Sequence, residues 1–287
     1  MLGVDKSPDE IIFKTIGKHT MASLYTGLKH ASLYSKYRPK PSAAVINKIL
    51  EFLKEKKKAS FLSAVDVGCG SGQSTPVLGE YFESVLGCDI SEAQVNEARK
   101  ANTAPNIKYC VADAEHIPVA DNSVDLVTCS MAVHWFDFPA FCKEVDRVLK
   151  PSGCLAVYAR NHGIFLHDDD KIAKKLNETF SSFYCKTLNS TFSMEILRGI
   201  YQQELVIPYP EFERHVLYEH KDVPLLELLG LIETFSGYQK YHKEHPNDDI
   251  LKPFQNEMIQ MLGVDKSPDE IIFNTECPIF LLLGRKP

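Results

Sequence analysis

The sequence predicts an α/β fold in which short buried strands alternate with helices and build one mostly parallel sheet. Five apolar runs of strand length are each followed by a polar or glycine residue or by a short turn, at 64–67, 84–88, 107–111, 124–129 and 154–159. Helical patterns lie between them, and a glycine-rich turn follows the first run. With 287 residues, 44% of them hydrophobic, the chain can bury a full core. We therefore expect one large domain with insertions.

Net charge and cysteine content narrow the classes of protein to which this chain can belong. The formal net charge of −6 disfavours a nucleic-acid-binding surface. The eight cysteines include no CxxC pair and no zinc-finger spacing, so we expect buried free thiols, no metal site and a reducing compartment. No secretory leader is recognisable, and the longest apolar run, near 279–283, is too short to cross a bilayer. We expect a cytoplasmic protein without nucleic-acid or membrane partners, a monomer or alternatively a dimer.

A perfect repeat links the two ends of the chain, because Met1–Phe13 and Met261–Phe273 both read MLGVDKSPDEIIF. A solenoid would show several diverged copies, whereas one perfect copy indicates a recent duplication or an artefact of the gene assignment. We therefore expect residues 1–20 to be a dispensable extension and residues 21–287 to form the single domain. Both copies contain a Ser-Pro-Asp-Glu capping box, which the second copy should lose because it runs into the last strand.

The first strand, Ala64–Val67, runs into the turn that organises the predicted site. Asp66 lies near the carboxyl end of this strand, where ligands gather in open α/β sheets. Gly68, Gly70 and Gly72 follow, and glycine permits positive φ and a close approach of ligand to backbone. The next helix would point its N–H groups back at the turn. The pattern predicts a cofactor cradle, with a glycine-rich turn that binds nothing as the alternative.

The glycine spacing separates two kinds of cofactor. A dinucleotide site has the pattern G-x-G-x-x-G, and here Gln73 occupies the third glycine position. The run DVGCGSG instead resembles motif I of the class I S-adenosylmethionine (SAM) methyltransferases, D/E-x-G-x-G-x-G. This resemblance implies that SAM is the cofactor, bound by the glycine turn and Gln73. A nicotinamide oxidoreductase is the weaker alternative.

The second strand is followed by Asp89, 23 residues after Asp66, close to the offset expected for an acid that binds ribose hydroxyls. Asp89 could instead cap the next helix. Ser91 fits the cap better, with Gln94 at the capping-box position. Asp89 is thereby left for the ligand, with Ile90 beside it in the predicted cofactor site.

Two later segments resemble the same family. The run ADA after the third strand is similar to the segment whose acid binds the adenine amino group, which implies Asp113 and Ala114 as cofactor contacts; a capped turn is the alternative. The segment from Ser130 to Trp135 resembles the one that faces the methyl-transfer region. We assign Ser130 to the cofactor. His134 is the candidate catalytic residue, a general base for a hydroxyl or amine acceptor, with a core histidine as the alternative.

The resemblance to class I SAM methyltransferases covers Met21–Pro287 and is strongest from Ala64 to Arg160. The run KEVDRVLKPSG is close to the family pattern E-x-x-R-V-L-K-P-G-G. Tyr37 and Arg38 lie in a segment similar to one that covers the SAM site in relatives, which implies Tyr37 as a cofactor contact; surface packing is an equal alternative. This segment, the His-Trp pair and the later helical insertions place the trans-aconitate-methyltransferase-like branch nearest.

The family resemblance implies a Rossmann-like, seven-stranded mixed sheet of order 3-2-1-4-5-7-6, with helices on both faces and only the last strand antiparallel. Beyond Arg160 the patterns predict helices at 171–184, 194–204, 224–242 and 249–262, and strands at 212–220 and 279–283. Insertions at about 161–210 and 221–262 would form a helical lid above the cofactor.

The sequence thus predicts a SAM-dependent methyltransferase that acts on a small-molecule acceptor, for which a carboxylate is one candidate. An acidic acceptor would need basic residues in the lid, and Arg160, Arg198 and Arg214 are candidates. One alternative is a methyltransferase that acts on protein or RNA, which the acidic composition disfavours. Another is a non-catalytic SAM-binding regulatory protein.

Overall fold

The computed structural model describes residues 33, 36–56, 61–188 and 198–287. The predicted extension at 1–20, the first copy of the repeat and the start of the helix predicted at 194–204 lie outside these residues. Residues 200–204 of that predicted helix form a π-helical turn, Ile200–Glu204.

A mixed sheet organises the described part of the chain. Its strands lie in the order β3-β2-β1-β4-β5-β8-β7, with parallel pairing from β3 through β5 and β8 antiparallel to both neighbours. Their bounds are β1 Ser63–Val67, β2 Ser84–Asp89, β3 Ile107–Val111, β4 Val124–Ser130, β5 Leu149–Arg160, β6 Ile164–Leu166, β7 Glu211–Pro224 and β8 Ile272–Arg285. Because β7 and β8 are the predicted sixth and seventh strands, the predicted order is confirmed.

The predicted count of seven strands is wrong by one. The additional strand, β6, pairs antiparallel with residues 274–276 of β8, beyond the point where pairing with β5 ends at Ile279. β8 is 14 residues long and pairs with β7 along its whole length, so both strands extend past their predicted bounds. A strand of three residues has too short a pattern to be recognised in a sequence.

Helices cover both faces of the sheet, and hydrophobic clusters hold them there. The described helices are α1 Ala43–Lys54, α2 Thr75–Leu78, α3 Glu92–Ala101, α4 Phe138–Val148, α5 Asp170–Leu188, α6 Leu225–Glu233, α7 Ser236–Glu244 and α8 Leu251–Leu262. One cluster packs α4 against one face of the sheet, and a second packs α1, α2 and α3 against the other. A third cluster joins α5, α6 and α8 to β6 and the start of β8.

Side-chain caps fix where the sheet-covering helices begin. The Ser42 hydroxyl accepts a hydrogen bond from the Val45 N–H at 3.4 Å and caps α1. The Asp137 carboxylate accepts one from the Ala140 N–H at 3.1 Å and caps α4. At its other end α4 gives way directly to β5, whose third residue, Pro151, could not continue the helix.

The second copy of the repeat keeps its capping box, so the prediction that the strand overrides the cap is wrong. Helix α8 ends at Gly263, which has a φ of 62°. The Glu270 side chain then accepts a hydrogen bond from the Ser267 N–H at 3.0 Å, and the box closes a single 3-10 turn, Pro268–Glu270, before β8 starts. Cap and strand coexist because the helix is limited to one turn.

The helix predicted at 224–242 is two helices, α6 and α7. The break falls at Thr234, whose hydroxyl donates to the Leu231 carbonyl at 2.6 Å and thereby competes with the helical pattern. Phe235 then takes an extended backbone, with ψ at 133°, and starts α7. This break turns the chain above the carboxyl ends of the sheet strands. A lid role for these insertions stays a prediction.

The cysteines of this chain are thiols, and most of them are buried. All eight cysteines are free thiols; six are buried, Cys110 is half-buried and Cys185 is exposed, which departs from the expectation for that residue. Among the described residues, every helix is too short or too polar to span a membrane.

Candidate functional site

A cavity of about 260 Å³ opens at the carboxyl ends of β1, β4 and β5. The glycine turn and the strand ends form its floor, and residues of α5, α6 and α7 form its roof together with the segment 37–42. Six residues predicted for the site line it, namely Tyr37, Gly68, Gly70, Gln73, Ser130 and His134. The other predicted residues do not line this cavity, namely Asp66, Gly72, Asp89, Ile90, Asp113 and Ala114.

The glycine turn has the conformation that its sequence predicts. Gly68, Gly70 and Gly72 all have positive φ, of 69°, 55° and 86°. The Gly68 N–H donates to the Cys88 carbonyl at 2.8 Å, which anchors the turn to the end of β2. A Cβ atom on Gly68 would lie 2.5 Å from the Cβ of Ala132, so only glycine fits there. The result is a backbone cradle open to the cavity.

Asp66 lies below the cradle, fully buried. Its carboxylate accepts hydrogen bonds from the hydroxyls of Thr75, at 2.7 Å, and Thr128, at 2.9 Å, and so ties β1 to α2 and β4. Burial raises the pKa of Asp66 to about 6, although the two hydroxyls oppose the shift. In this position Asp66 supports the turn from beneath, and direct contact with a cofactor stays a prediction.

The sequence had suggested that the Asp89 side chain is available for a ligand. In the structure its carboxylate is hydrogen-bonded to the backbone of the glycine turn and of Ser91. One carboxylate oxygen accepts from the Gly70 N–H at 2.9 Å, and the other accepts from the Ser91 N–H at 2.8 Å. Burial raises the pKa of Asp89, and these two bonds oppose the shift. Ser91 caps α3 as predicted, by accepting from the Gln94 N–H. Asp89 therefore positions the cradle, and each oxygen keeps a further lone pair for a ligand.

The predicted adenine segment lies at the edge of the site. The Asp113 carboxylate is 2.8 Å from Nδ1 of His116, and both side chains are exposed. Ala114 is buried, whereas Ile90 is exposed at the end of β2. These contacts are compatible with the capped turn that we gave as the alternative, and the adenine contact stays a prediction.

His134 enters the cavity wall from a single 3-10 turn, Val133–Trp135, at the end of β4. Its Nδ1 atom is 3.0 Å from the hydroxyl of Tyr201, which is fully buried in the π-helical turn. The backbone N–H of His134 also donates to this hydroxyl. The tautomer in which Tyr201 donates to Nδ1 carries the imidazole proton on the other ring nitrogen, Nε2.

Burial determines the protonation states of His134 and Tyr201. Burial lowers the pKa of His134 to about 3, so the imidazole is neutral throughout the physiological range. Burial also raises the pKa of Tyr201 well above its usual value, so the phenol stays protonated and can donate. The pair is therefore neutral at the wall, and a histidine with so low a pKa is a weak base.

Sequence reasoning missed several residues at this site. Tyr201 lies in a short turn with no recognisable pattern, and Tyr158 was hidden inside a predicted strand. Met131 has a φ of 55°, a strained conformation at the junction between β4 and the 3-10 turn, and its sulfur accepts from the Arg160 N–H. An Ala-Val-His-Trp run after a strand gives no signal for such a kink.

The three arginines proposed for an acidic acceptor have different positions. Arg160 lines the cavity but pairs with Glu219. Arg214 donates to main-chain carbonyls and holds the π-helical turn, away from this cavity. Arg198 bonds to Gln202 at 3.0 Å beside a second, smaller pocket. Within the described ranges, acidic, histidine and cysteine side chains form no cluster suited to a metal ion.

Comparison with known proteins agrees with this geometry. Residues 65–157 match the family model described as a methyltransferase domain. A protein of Dictyostelium discoideum described as a methyltransferase is 27% identical over 256 residues, which is 88% of this chain and 92% of that protein. A probable SAM-dependent methyltransferase of Saccharomyces cerevisiae is 31% identical over 130 residues, 44% of this chain and 43% of its own.

A solved structure extends the similarity to the whole fold. It is described as a type II methyltransferase from Anaeromyxobacter dehalogenans, and it is 26% identical with a TM-score of 0.68, covering 87% of this chain and 98% of its own. The cradle fits SAM because its glycines leave no Cβ toward the ligand and Asp89 stands at the end of β2. The matched domain, the relatives and the fold therefore support a class I SAM-dependent methyltransferase, with its methyltransferase domain at residues 65–157.

Proposed function

We propose that this methyltransferase acts on a carboxylate oxygen of a small molecule. The observation that carries the proposal is the state of His134, which burial holds as a neutral imidazole hydrogen-bonded to Tyr201. A hydroxyl or amine acceptor must lose a proton, and a base with a pKa of about 3 would remove it poorly. A carboxylate is already ionised at neutral pH and needs no base.

The wall residues then have roles that suit a carboxylate. The Nε2–H of His134 would donate to one carboxylate oxygen and orient the other toward the methyl group. Trp135, whose ring lies 4.5 Å from the His134 ring, would limit how the acceptor can turn. Positioning of this kind can lower a barrier by roughly 7–11 kcal/mol without proton transfer.

The cofactor would lie in the cradle below. When bound, SAM supplies a methyl group activated by the positive charge of its sulfonium. The glycine turn, Gln73 and Ser130 would contact it, and Asp89 would receive the ribose hydroxyls. Tyr37 would cover it, and it packs so closely on α6 that a Cβ on Gly230 would lie 2.5 Å from its ring. The insertions at about 161–210 and 221–262 would close over both ligands and exclude water.

Two further observations support a small, acidic acceptor. The cavity is roofed by the lid helices, which leaves little room for a folded protein or RNA. A protein of Hahella chejuensis described as a malonyl-[acyl-carrier protein] O-methyltransferase is 39% identical over 94 residues, 32% of this chain and 34% of its own. The O-methylation in that name is of the same chemical kind as the reaction proposed here.

The chemical stability of the product tests the proposal. The protein is incubated with SAM labelled in the methyl group and with a fractionated metabolite extract, and each labelled product is then treated with alkali. A carboxyl methyl ester releases volatile labelled methanol, whereas methyl ethers and methylamines keep the label. We expect volatile label from a low-mass fraction. Alkali-stable product would refute the carboxylate, and label on protein or RNA would favour the alternative acceptor class. SAM binding without transfer to any fraction would favour a regulatory protein.

A further inference from the structure

The lid side of the cavity contains an aromatic chamber, lined by Phe165, Phe180, Tyr184, Leu228, Leu231 and Phe235. His162 lines the same chamber, and three aromatic rings surround its imidazole. The ring centroids lie 4.4 Å from Tyr184, 4.8 Å from Phe235 and 5.4 Å from Phe180. A polar ring among such neighbours needs an explanation, because burying a polar group without a hydrogen bond costs free energy that an apolar side chain would not cost.

The Nε2 atom of His162 is buried and has no hydrogen-bond partner among the described residues. Burial, followed by the positive charge of Arg38, lowers the pKa of His162 to about 3, so the imidazole is neutral. Buried polar atoms in native proteins nearly always have partners. Because His162 lines the cavity, its unpartnered nitrogen is suited to pair with a group of a bound ligand, and a hydroxyl can pair with either tautomer because it both donates and accepts.

Charges around the chamber limit how acidic the ligand can be. Lys221 pairs with Glu227 at 3.6 Å, and Arg160 pairs with Glu219. The Arg38 guanidinium stacks over Phe235 at 5.4 Å and donates to the Thr234 carbonyl. Carboxylates of the wall thus neutralise Lys221 and Arg160, while Arg38 and the cavity-lining Lys40 supply two positive charges, so a tricarboxylate would enter a chamber with less positive charge than its own negative charge.

We propose that the acceptor is a hydroxylated monocarboxylic acid with an aromatic or apolar body, and that His162 selects it. The body would fill the aromatic chamber, the hydroxyl would bond to Nε2 of His162, and the carboxylate would reach His134. His162 is thus a specificity-determining residue of the lid. This inference rests on the proposed carboxylate methylation and adds to it the class of acid.

The test compares two matched series of probe acids on the full-length protein. The first contains 4-hydroxyphenylacetate and its propionate and butyrate homologues, in which the hydroxyl and the carboxylate are separated by different distances. The second contains the same acids without the hydroxyl, and malonate and citrate represent small polycarboxylates. Transfer is measured as alkali-labile methyl ester in the wild type, in His162→Phe and in the exposed control His245→Phe. We expect the wild type to prefer a hydroxylated member at least tenfold in kcat/KM.

In His162→Phe the preference for the hydroxyl should disappear, while affinity for S-adenosylhomocysteine stays within twofold and shows that the variant folds. His245→Phe should keep the wild-type preference. Ester formed on malonate or citrate but on none of the aryl acids would overturn this inference and leave carboxylate methylation standing. An unchanged preference in His162→Phe would also overturn it. Alkali-stable products, or no transfer to any acid with cofactor affinity intact, would count against both proposals.

Discussion

The two halves of the chain place their functional groups by different means. From Ala64 to Arg160, groups at the site follow a strand end directly, so local pattern and position in the sheet agree. Beyond Arg160, residues of α5, α6 and α7 reach the cavity because the chain folds back over the sheet, and Tyr201 contacts His134 from the π-helical turn. The first half therefore supplies the predicted cofactor site. The second half supplies most of the proposed acceptor site, and its sequence signals are spread over distant segments.

The largest expected effect tests how far the halves depend on each other. Deleting Met261–Phe273 removes the end of α8 and the start of β8, which pairs with β7 and lies beside β6. We expect the truncated protein to unfold or to lose methyl transfer. Removing residues 1–20, the matched copy, should leave melting temperature and SAM affinity unchanged. Equal effects of both deletions would contradict this prediction, because they would show that both copies contribute equally to stability and function.

A second prediction concerns the buried interior of the first half. The pKa of Asp66 is raised from 3.8 to about 6 in the folded protein. Its stabilising contribution is therefore present below about pH 4 and is lost as the pH rises through 6. Asp66→Asn should lack this dependence. The stability of wild type relative to the variant, from urea unfolding, should fall by about 2–3 kcal/mol between pH 4 and pH 7.5. A constant difference would show that Asp66 titrates normally.

The third prediction concerns the cradle itself. Asp89→Ala removes the bond to the Gly70 N–H and the predicted ribose contact. Hydrogen bonds to a charged group contribute about 1.5–3 kcal/mol, so SAM and S-adenosylhomocysteine should both bind ~10–100-fold more weakly in calorimetry. Asp121→Ala, at an exposed carboxylate on the same half, should bind as wild type. Unchanged affinity in Asp89→Ala would remove Asp89 from the site.

The smallest expected effect lies where the halves meet. His134→Ala and Tyr201→Phe should each lower kcat/KM by about three- to tenfold, mainly through KM, because each loses one hydrogen bond to or behind the acceptor. Activity in the wild type should be flat from pH 6 to 8, since the pKa of His134 is about 3. A hundredfold fall in turnover for His134→Ala, with a pH limb near 6.5, would make His134 a general base.

How well the sequence predicted each feature follows from the range of the interactions involved. Ser91 was predicted as a cap because the capping box spans four residues, and the glycine turn because three glycines need positive φ. Asp66 was predicted as a cofactor contact, which stays a prediction, but the hydrogen bonds that its carboxylate accepts from Thr75 and Thr128 were not predicted. The break at Thr234 was missed because a bond to Leu231 outweighs an apolar periodicity that continues across it.

The same distinction holds for the E-x-x-R pattern in α4. Glu144 accepts from the Ile117 N–H at 2.6 Å, while Arg147 pairs with Glu144 and donates to the Ile117 and Val119 carbonyls. The motif was recognised from its amino-acid pattern alone. In the structure its side chains hold the loop before β4 through hydrogen bonds to the backbone of Ile117 and Val119. That role requires a contact across 27 residues, which no local pattern reveals.

The pairing of β8 with β5 has a consequence for how the protein reaches its active form. Cys154 and Arg285 are partners in adjacent strands although 131 residues separate them, and helices α5 to α8 lie in the loop that this pairing closes. Closing so long a loop is slow, and the strands β1 to β5 can pair before it occurs. The cradle can therefore form early in folding, whereas the aromatic chamber is complete only after β8 docks. Binding of SAM during refolding should accordingly precede recognition of the acceptor.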